Sequence, residues 1–335
     1  MSDEVDASPS DTMDNRIGIT RLRYAVLFQV HRVALAAGMA VGIFVSFVAV
    51  VTHFDSLFLG QLTSGDMIDS IFTTMISVVL TGTTLVVSIG QLVLTQETGP
   101  LGDQRERMSN AMDFRGFTAE LTGQPSPTNP GQFLAALIDA VVVRSNQLRE
   151  ELDTAHSTEL HDEVDVFVGD VIENAQTVSS RLKRTEFSTF GVLSAALDFN
   201  YGWKIARIER FQSEYAEELS DEDVERLDDI KTALSMFGPA REHVKTLYFQ
   251  WELIDLSKMI LYAALPAILV ASLMIAVVEP ATFPGTLFGV EHITLVVAGA
   301  LTVTLIPFLL FVSYLLRILT VAKRTLAIEP LILRK

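Results

Sequence analysis

Hydroxyl and carboxamide side chains recur along one apolar segment of the chain, residues 71–94, and at its two edges. They are separated by alternating steps of four and three residues, a repeat of about 3.5 residues that places them on one helix face. Their oxygens can replace part of the water shell of an ion, so this face could line a hydrated path. The same side chains could instead hydrogen-bond across a helix interface, and both interpretations hold if copies of the helix surround an axis. This polar stripe consists of Ser70, Thr74, Ser77, Thr81, Thr84, Ser88, Gln91 and Thr95.

The segment that carries the polar stripe is one of four uncharged apolar segments. A membrane span needs about 20 mainly apolar residues, and each of the four is long enough. The apolar fraction of 49% and the mean hydropathy of +0.37 agree with a membrane protein. We term the segments spans one to four: residues 33–52, 71–94, 259–278 and 293–316.

The positions of Lys and Arg predict the orientation of the spans. The loops 53–70 and 279–292 contain neither residue, so all 25 basic residues lie in the other segments. Because basic loops stay on the cytoplasmic side, we expect both termini in the cytoplasm of a multi-pass protein of the cell membrane.

The same pattern predicts the organisation of the chain. The first 15 residues carry five acids and no base, which is typical of a disordered segment. Spans one and two follow in 16–98, a helical cytoplasmic domain in 99–257, spans three and four in 258–322, and a cytoplasmic tail in 323–335. The predicted fold class is all-α.

Local signals divide the cytoplasmic domain into helices. Asn129 and Pro130 form an N-cap and first helical position, and Ser220 begins a capping signature. Gly238 and Pro239 are expected to end the helix that starts there, before a long helix enters the membrane as span three. The predicted helices cover 103–120, a segment from 130, 160–183, 199–219, 220–236 and a segment from 240.

Two further patterns lie in the other spans. Span one carries small residues at four-residue steps, which predicts a close packing face. Pro266 and Pro307 would lie at similar depth in antiparallel spans three and four, where they are either ordinary kinks or a hinge level for gating. The small residues are Ala34, Gly38, Gly42 and Ser46.

The remaining signals exclude several classes of protein. No span core contains an ionisable residue, which disfavours proton-coupled pumps and voltage sensors and leaves a transporter only neutral substrates. Phosphate-binding glycine motifs and zinc-protease motifs are absent, and the chain has no cysteine. His156 and His161 are five residues apart and do not share a helix face. We therefore expect no enzyme activity, no cofactor and no metal site.

The net charge of −16 restricts the partners and the source. Nucleic acid is an unexpected partner because phosphate contacts need basic patches. An acidic, Lys-poor surface is tolerated in about 1 M salt, where the Debye length is only about 3 Å. The composition therefore predicts a salt-loving source and a fold that needs high salt.

Two stretches beside the spans carry a family resemblance. The stretch after span two reads QLVLTQETGPLGDQRERM, and the stretch before span three reads FGPAREHVKTLYFQWELIDLS. Both resemble segments of uncharacterised four-span membrane proteins of halophilic archaea, a resemblance that implies no activity. The layout also resembles that of bestrophin-type anion channels and of connexin- and pannexin-type channels, although their motifs and extracellular cysteines are absent here.

Two functions remain open from the sequence. One is an oligomeric channel or pore, built from several copies of the chain, in which span two faces the axis. The other is a non-conducting membrane scaffold or sensor, in which the polar stripe holds spans together and the cytoplasmic helices bind a protein partner.

Overall fold

The computed structural model describes residues 31–54, 66–152, 157–184 and 189–325. These residues are helical apart from connecting segments and one hairpin, which confirms the all-α prediction. The predicted disordered residues 1–15 and most of the predicted tail lie outside the described residues. In chain order the elements are α1 Arg32–His53, α2 Met67–Glu97, α3 Leu101–Thr122, α4 Pro130–Glu151, α5 Thr158–Arg184, α6 Thr189–Leu197, α7 Tyr201–Glu214, α8 Asp221–Val277, β1 Thr286–Leu287, β2 Val290–Glu291 and α9 His292–Thr325.

The described elements divide into two compact units. The helical unit comprises α3 to α7 and the part of α8 up to Phe249. The membrane unit comprises α1, α2, the part of α8 from Gln250, the hairpin and α9 up to Lys323. Four helices, α1, α2, α8 and α9, are long and apolar enough to cross a membrane. The chain is therefore a multi-pass membrane protein, as predicted.

Contacts between side chains in the membrane unit show that successive spans are antiparallel. One apolar cluster joins Val51 near the end of α1, Phe72 near the start of α2, Met274 near the end of α8 and Val297 near the start of α9. A second cluster joins Ala40 and Ile260, which precede the first-cluster residues of α1 and α8, to Val86 and Leu310, which follow those of α2 and α9.

The helical unit begins its helices where the capping residues predict. The Asn129 side chain accepts hydrogen bonds from the backbone N–H groups of Gly131 and Gln132, at 2.9 and 3.2 Å. Ser220 and Asp223 cap the start of α8 reciprocally: the Asp223 N–H donates to Ser220 Oγ at 3.2 Å, and the Ser220 N–H donates to Asp223 Oδ2 at 3.1 Å. Such reciprocal bonds satisfy donors that a helix start leaves unpaired.

The core of the helical unit lies between α4 and α5, with α6 packed on both. The buried side of α5 carries Val164, Phe167, Val171 and Val178, the helical repeat expected of an amphipathic helix. The predicted helix 199–219 is shorter in the structure, because the side chain of Asn200 caps α7 and a turn follows Glu214. The prediction missed α6, whose nine residues are too few to show a periodic pattern.

The prediction that Gly238 and Pro239 end a helix is wrong, since α8 continues through both residues. Proline removes one backbone hydrogen bond, but side-chain contacts hold the helix on either side of it. The Phe237 ring is fully buried against Phe199, with ring centroids 4.8 Å apart. The Arg241 guanidinium lies 4.9 Å from the centroid of the Tyr201 ring.

The missing side chain of Gly238 leaves room for the Tyr201 ring, which leads to a testable prediction. A Cβ atom at position 238 would lie 3.0 Å from the Tyr201 hydroxyl oxygen. Overpacking costs about 1–3 kcal/mol and alanine regains about 1 kcal/mol of helix propensity, so Gly238→Ala should lower the free energy of unfolding of the helical unit by up to about 2 kcal/mol. Gly169→Ala is the control, because a Cβ there has no neighbour within 4 Å and alanine favours a helix by about 1 kcal/mol. Equal melting temperatures of the two variants, measured by circular dichroism, would contradict this packing role of Gly238.

Candidate functional site

The polar stripe lies on the outside of the membrane unit. All eight of its residues are exposed. The opposite side of α2 packs against the other spans through a row of apolar residues: Ile68, Phe72, Val79, Val86 and Val93. The polar residues thus lie on the side of α2 away from this apolar row.

Hydroxyl groups of the polar stripe donate hydrogen bonds to the backbone of their own helix. Thr81 Oγ1 donates to the Ser77 carbonyl at 2.8 Å, and Thr84 Oγ1 and Ser88 Oγ each donate to the carbonyl four residues earlier at 3.0 Å. Thr74, Ser77 and Thr95 donate in the same way. Such bonds satisfy the donor within the helix and leave lone pairs on each hydroxyl oxygen as acceptors. They do not support the interpretation that the stripe joins spans within one chain.

Gln91 carries the largest polar group of the stripe, and its own helix does not satisfy it. Its side chain forms no hydrogen bond with any residue that the structure describes. A carboxamide has two donors and an acceptor, and transferring it out of water without partners is costly. Gln91 therefore needs water or a group from another molecule at this position.

The small-residue stripe of span one is also exposed rather than packed within the chain. Ala34, Gly38, Gly42 and Ser46 all face outward, and a Cβ on Gly38 or Gly42 would meet no atom within 4 Å. Instead α1 packs through Ala36 and Ala40. Among the described residues, none packs closely against Gly38 or Gly42.

The two prolines predicted as hinges lie inside continuous helices. Pro266 is exposed on α8, and Pro307 is buried on α9. Neither interrupts its helix, so a hinge at either position stays a prediction.

The structure assembles an ionic cluster that the sequence analysis missed. The Arg32 guanidinium at the start of α1 forms an ion pair with the buried carboxylate of Glu252 in α8. The guanidinium also lies 4.9 Å from the ring centroid of Tyr314 in α9, and Arg317 is close enough to interact electrostatically with Glu252. The cluster therefore links α1, α8 and α9 at one end of the membrane unit. Arg32 and Glu252 are separated by 220 positions, so no local pattern could indicate the pair.

A second buried polar cluster surrounds Lys204 in the helical unit. The fully buried ammonium group donates to Asn174 Oδ1 at 2.9 Å and to the Asn200 carbonyl at 3.2 Å. It also lies 4.4 Å from the Phe199 ring centroid. Nearby, burial raises the pKa of Asp170, and the charge of Glu173 adds to this rise while Lys204 opposes it. These contacts satisfy Lys204, which indicates that it stabilises the fold.

The family of the chain follows from its whole length. A model of a family of unknown function, DUF7972, matches residues 1–335. The chain belongs to this family. No curated protein and no solved structure matches the chain. The predicted salt-loving source stays a prediction, which retention of the fold after dialysis to low salt would contradict.

Proposed function

We propose that several copies of the chain assemble into a channel or pore in which the polar stripe lines the path. The observation that carries this proposal is the exposure of all eight stripe residues on the side of α2 opposite its packed face. Because the stripe faces away from the other spans of its own chain, one copy cannot enclose a path with it. Several copies around an axis can.

The length of the polar stripe supports this function. Residues 70–95 of a helix extend over about 38 Å at 1.5 Å per residue, while the hydrocarbon core of a bilayer is about 30 Å thick. A packing contact needs only a few polar residues, whereas a hydrated path needs acceptors through the whole thickness. The lone pairs on the hydroxyl oxygens and the unsatisfied carboxamide of Gln91 supply such acceptors.

Current across a planar bilayer tests the function itself. The purified protein, reconstituted in molar potassium chloride, should give discrete current steps. A silent bilayer that contains folded and inserted protein would contradict a channel.

The proposed orientation places both termini and the helical unit in the cytoplasm, and it rests on the absence of Lys and Arg from loops 53–70 and 279–292. Because the chain has no cysteine, single introduced thiols report each side. On intact cells, a membrane-impermeant maleimide should label Ala281→Cys at once and Ser109→Cys only after permeabilisation. Both positions are exposed, so the reverse pattern would overturn the orientation.

A non-conducting scaffold or sensor is the second candidate, and α3 favours it. The structure leaves large apolar side chains of this helix uncovered: Leu101, Met108, Met112 and Phe117. A cytoplasmic protein partner could cover them. A silent bilayer would support this function, together with one stoichiometric partner that Met108→Ser/Met112→Ser no longer binds.

A further inference from the structure

The hairpin between α8 and α9 has a fully exposed phenylalanine at its tip. Strands β1 and β2 pair Thr286 with Glu291 and Leu287 with Val290. The two turn residues, Phe288 and Gly289, have φ angles of 51° and 81°. Positive φ at both central positions is the pattern of a type I′ turn, which connects strands in two residues. Phe288 is 99% exposed.

The base of the hairpin is fixed to His292, the first residue of α9. The backbone N–H of His292 donates to the Gly285 carbonyl at 2.9 Å. The His292 ring Nδ1 lies 2.9 Å from the Pro284 carbonyl oxygen, and it must carry the proton in this contact because a carbonyl only accepts. The position of the tip is therefore set relative to the start of α9.

The two faces of the hairpin differ in polarity. Successive side chains of a strand point to opposite faces, and directly paired residues share a face. Leu287 and Val290 therefore form one apolar face, and Thr286 and Glu291 form a polar one. With Phe288 at the tip, the hairpin is amphipathic.

Neither the turn nor the packing of the described residues explains Phe288. The first position of a type I′ turn favours Asn, Asp or Gly, and a bulky residue with positive φ is strained. The ring also gains no contact that shields it from solvent. A strained residue of this kind suggests that its side chain is used outside the chain.

We propose that Phe288 and the apolar face of the hairpin insert into the bilayer surface beside spans three and four. Phe288 is four positions before His292, so the tip lies within about 14 Å of the start of α9. The headgroup region extends about 5–7 Å beyond the hydrocarbon core on each side, which brings the tip within reach of it. Aromatic side chains are enriched at this depth. The connection has no Lys or Arg, and the carboxylate of the hairpin, Glu291, lies on its polar face.

This inference requires only that α8 and α9 cross a bilayer, so it does not depend on the channel proposal. The partner is the lipid that surrounds the chain, and the interacting groups are the Phe288 ring and the side chains of Leu287 and Val290. The hairpin then fixes the depth at which spans three and four leave the membrane.

Spin labelling measures this depth directly. A nitroxide is attached to Phe288→Cys in the full chain, and the labelled protein is reconstituted in phosphatidylglycerol vesicles. Collisions of the nitroxide are then measured with two agents: oxygen, which concentrates in lipid, and a water-soluble nickel chelate. The ratio of oxygen to nickel collisions should be severalfold higher at position 288 than at Thr286→Cys, the control on the polar face. Leu287→Cys, on the apolar face, should resemble position 288.

Two results would overturn the inference. A label at position 288 that collides with nickel as often as the label at position 286 places the tip in water. An immobilised label shielded from both agents places it against protein. Circular dichroism confirms that each labelled variant keeps its helices.

Discussion

Replacing Thr84 and Ser88 by leucine should reduce the conductance of the reconstituted protein to baseline without preventing its assembly. Both residues are exposed in the middle of the polar stripe. Their hydroxyls donate only to carbonyls of their own helix, so their removal leaves no donor of another residue unpaired. Leucine would put an apolar ring around the path, and hydrophobic constrictions close pores by expelling water.

A matched control separates the loss of hydroxyls from disturbance of the helix. Thr84→Ser/Ser88→Thr exchanges the two residues, keeps both hydroxyls and should keep the conductance. Size-exclusion chromatography in detergent should give the same particle size for wild type and both variants. Wild-type conductance in the leucine variant would show that these residues do not line the path.

Replacing Arg32 by methionine should destabilise the membrane unit by about 3–5 kcal/mol, the usual cost of breaking a buried ion pair. The side chain of Glu252 is only 5% exposed, so its carboxylate would lose its ion-pair partner inside the protein and keep only the charge of Arg317 nearby. The methionine also loses the contact between the guanidinium and the Tyr314 ring. Unfolding in detergent, followed by circular dichroism, measures the change.

Two further variants test whether the burial of the ion pair causes the loss of stability in Arg32→Met. Arg32→Met/Glu252→Met removes both charges of the pair and should recover part of the lost stability, because apolar residues can replace a buried pair, while Arg317 loses the charge of Glu252. Lys183→Met removes the charge of a pair with Asp139 whose side chains are about half exposed, and it should cost at most about 1 kcal/mol. Equal losses for Arg32→Met and Lys183→Met would contradict the role of the buried pair.

The sequence predicts those parts of the fold that depend on local composition. Each span is an uncharged run that is long enough to cross a bilayer, and α4 begins where Asn129 can cap it. The shared face of the polar stripe follows from the step between its residues. These features need no knowledge of the rest of the chain.

The structure differs from the sequence predictions where contacts between residues distant in the chain determine the fold. The rings of Tyr201 and Phe199 help to hold α8 helical through Pro239, although the local sequence predicts a break. Gly38 and Gly42 could pack against another helix, but Ala36 and Ala40 form the contact that the chain makes. Likewise, the Arg32–Glu252 pair exists only because α1 and α8 meet.

Current through Thr84→Cys, before and after a thiol reagent is added, tests most directly whether the polar stripe lines the path. The reagent is a cationic methanethiosulfonate, which modifies thiols that water reaches, and the chain has no other cysteine. The proposed channel predicts that modification at position 84 blocks the current, while modification of Leu85→Cys beside the stripe does not. Unchanged current at position 84, with labelling of the thiol confirmed by mass spectrometry, would contradict it.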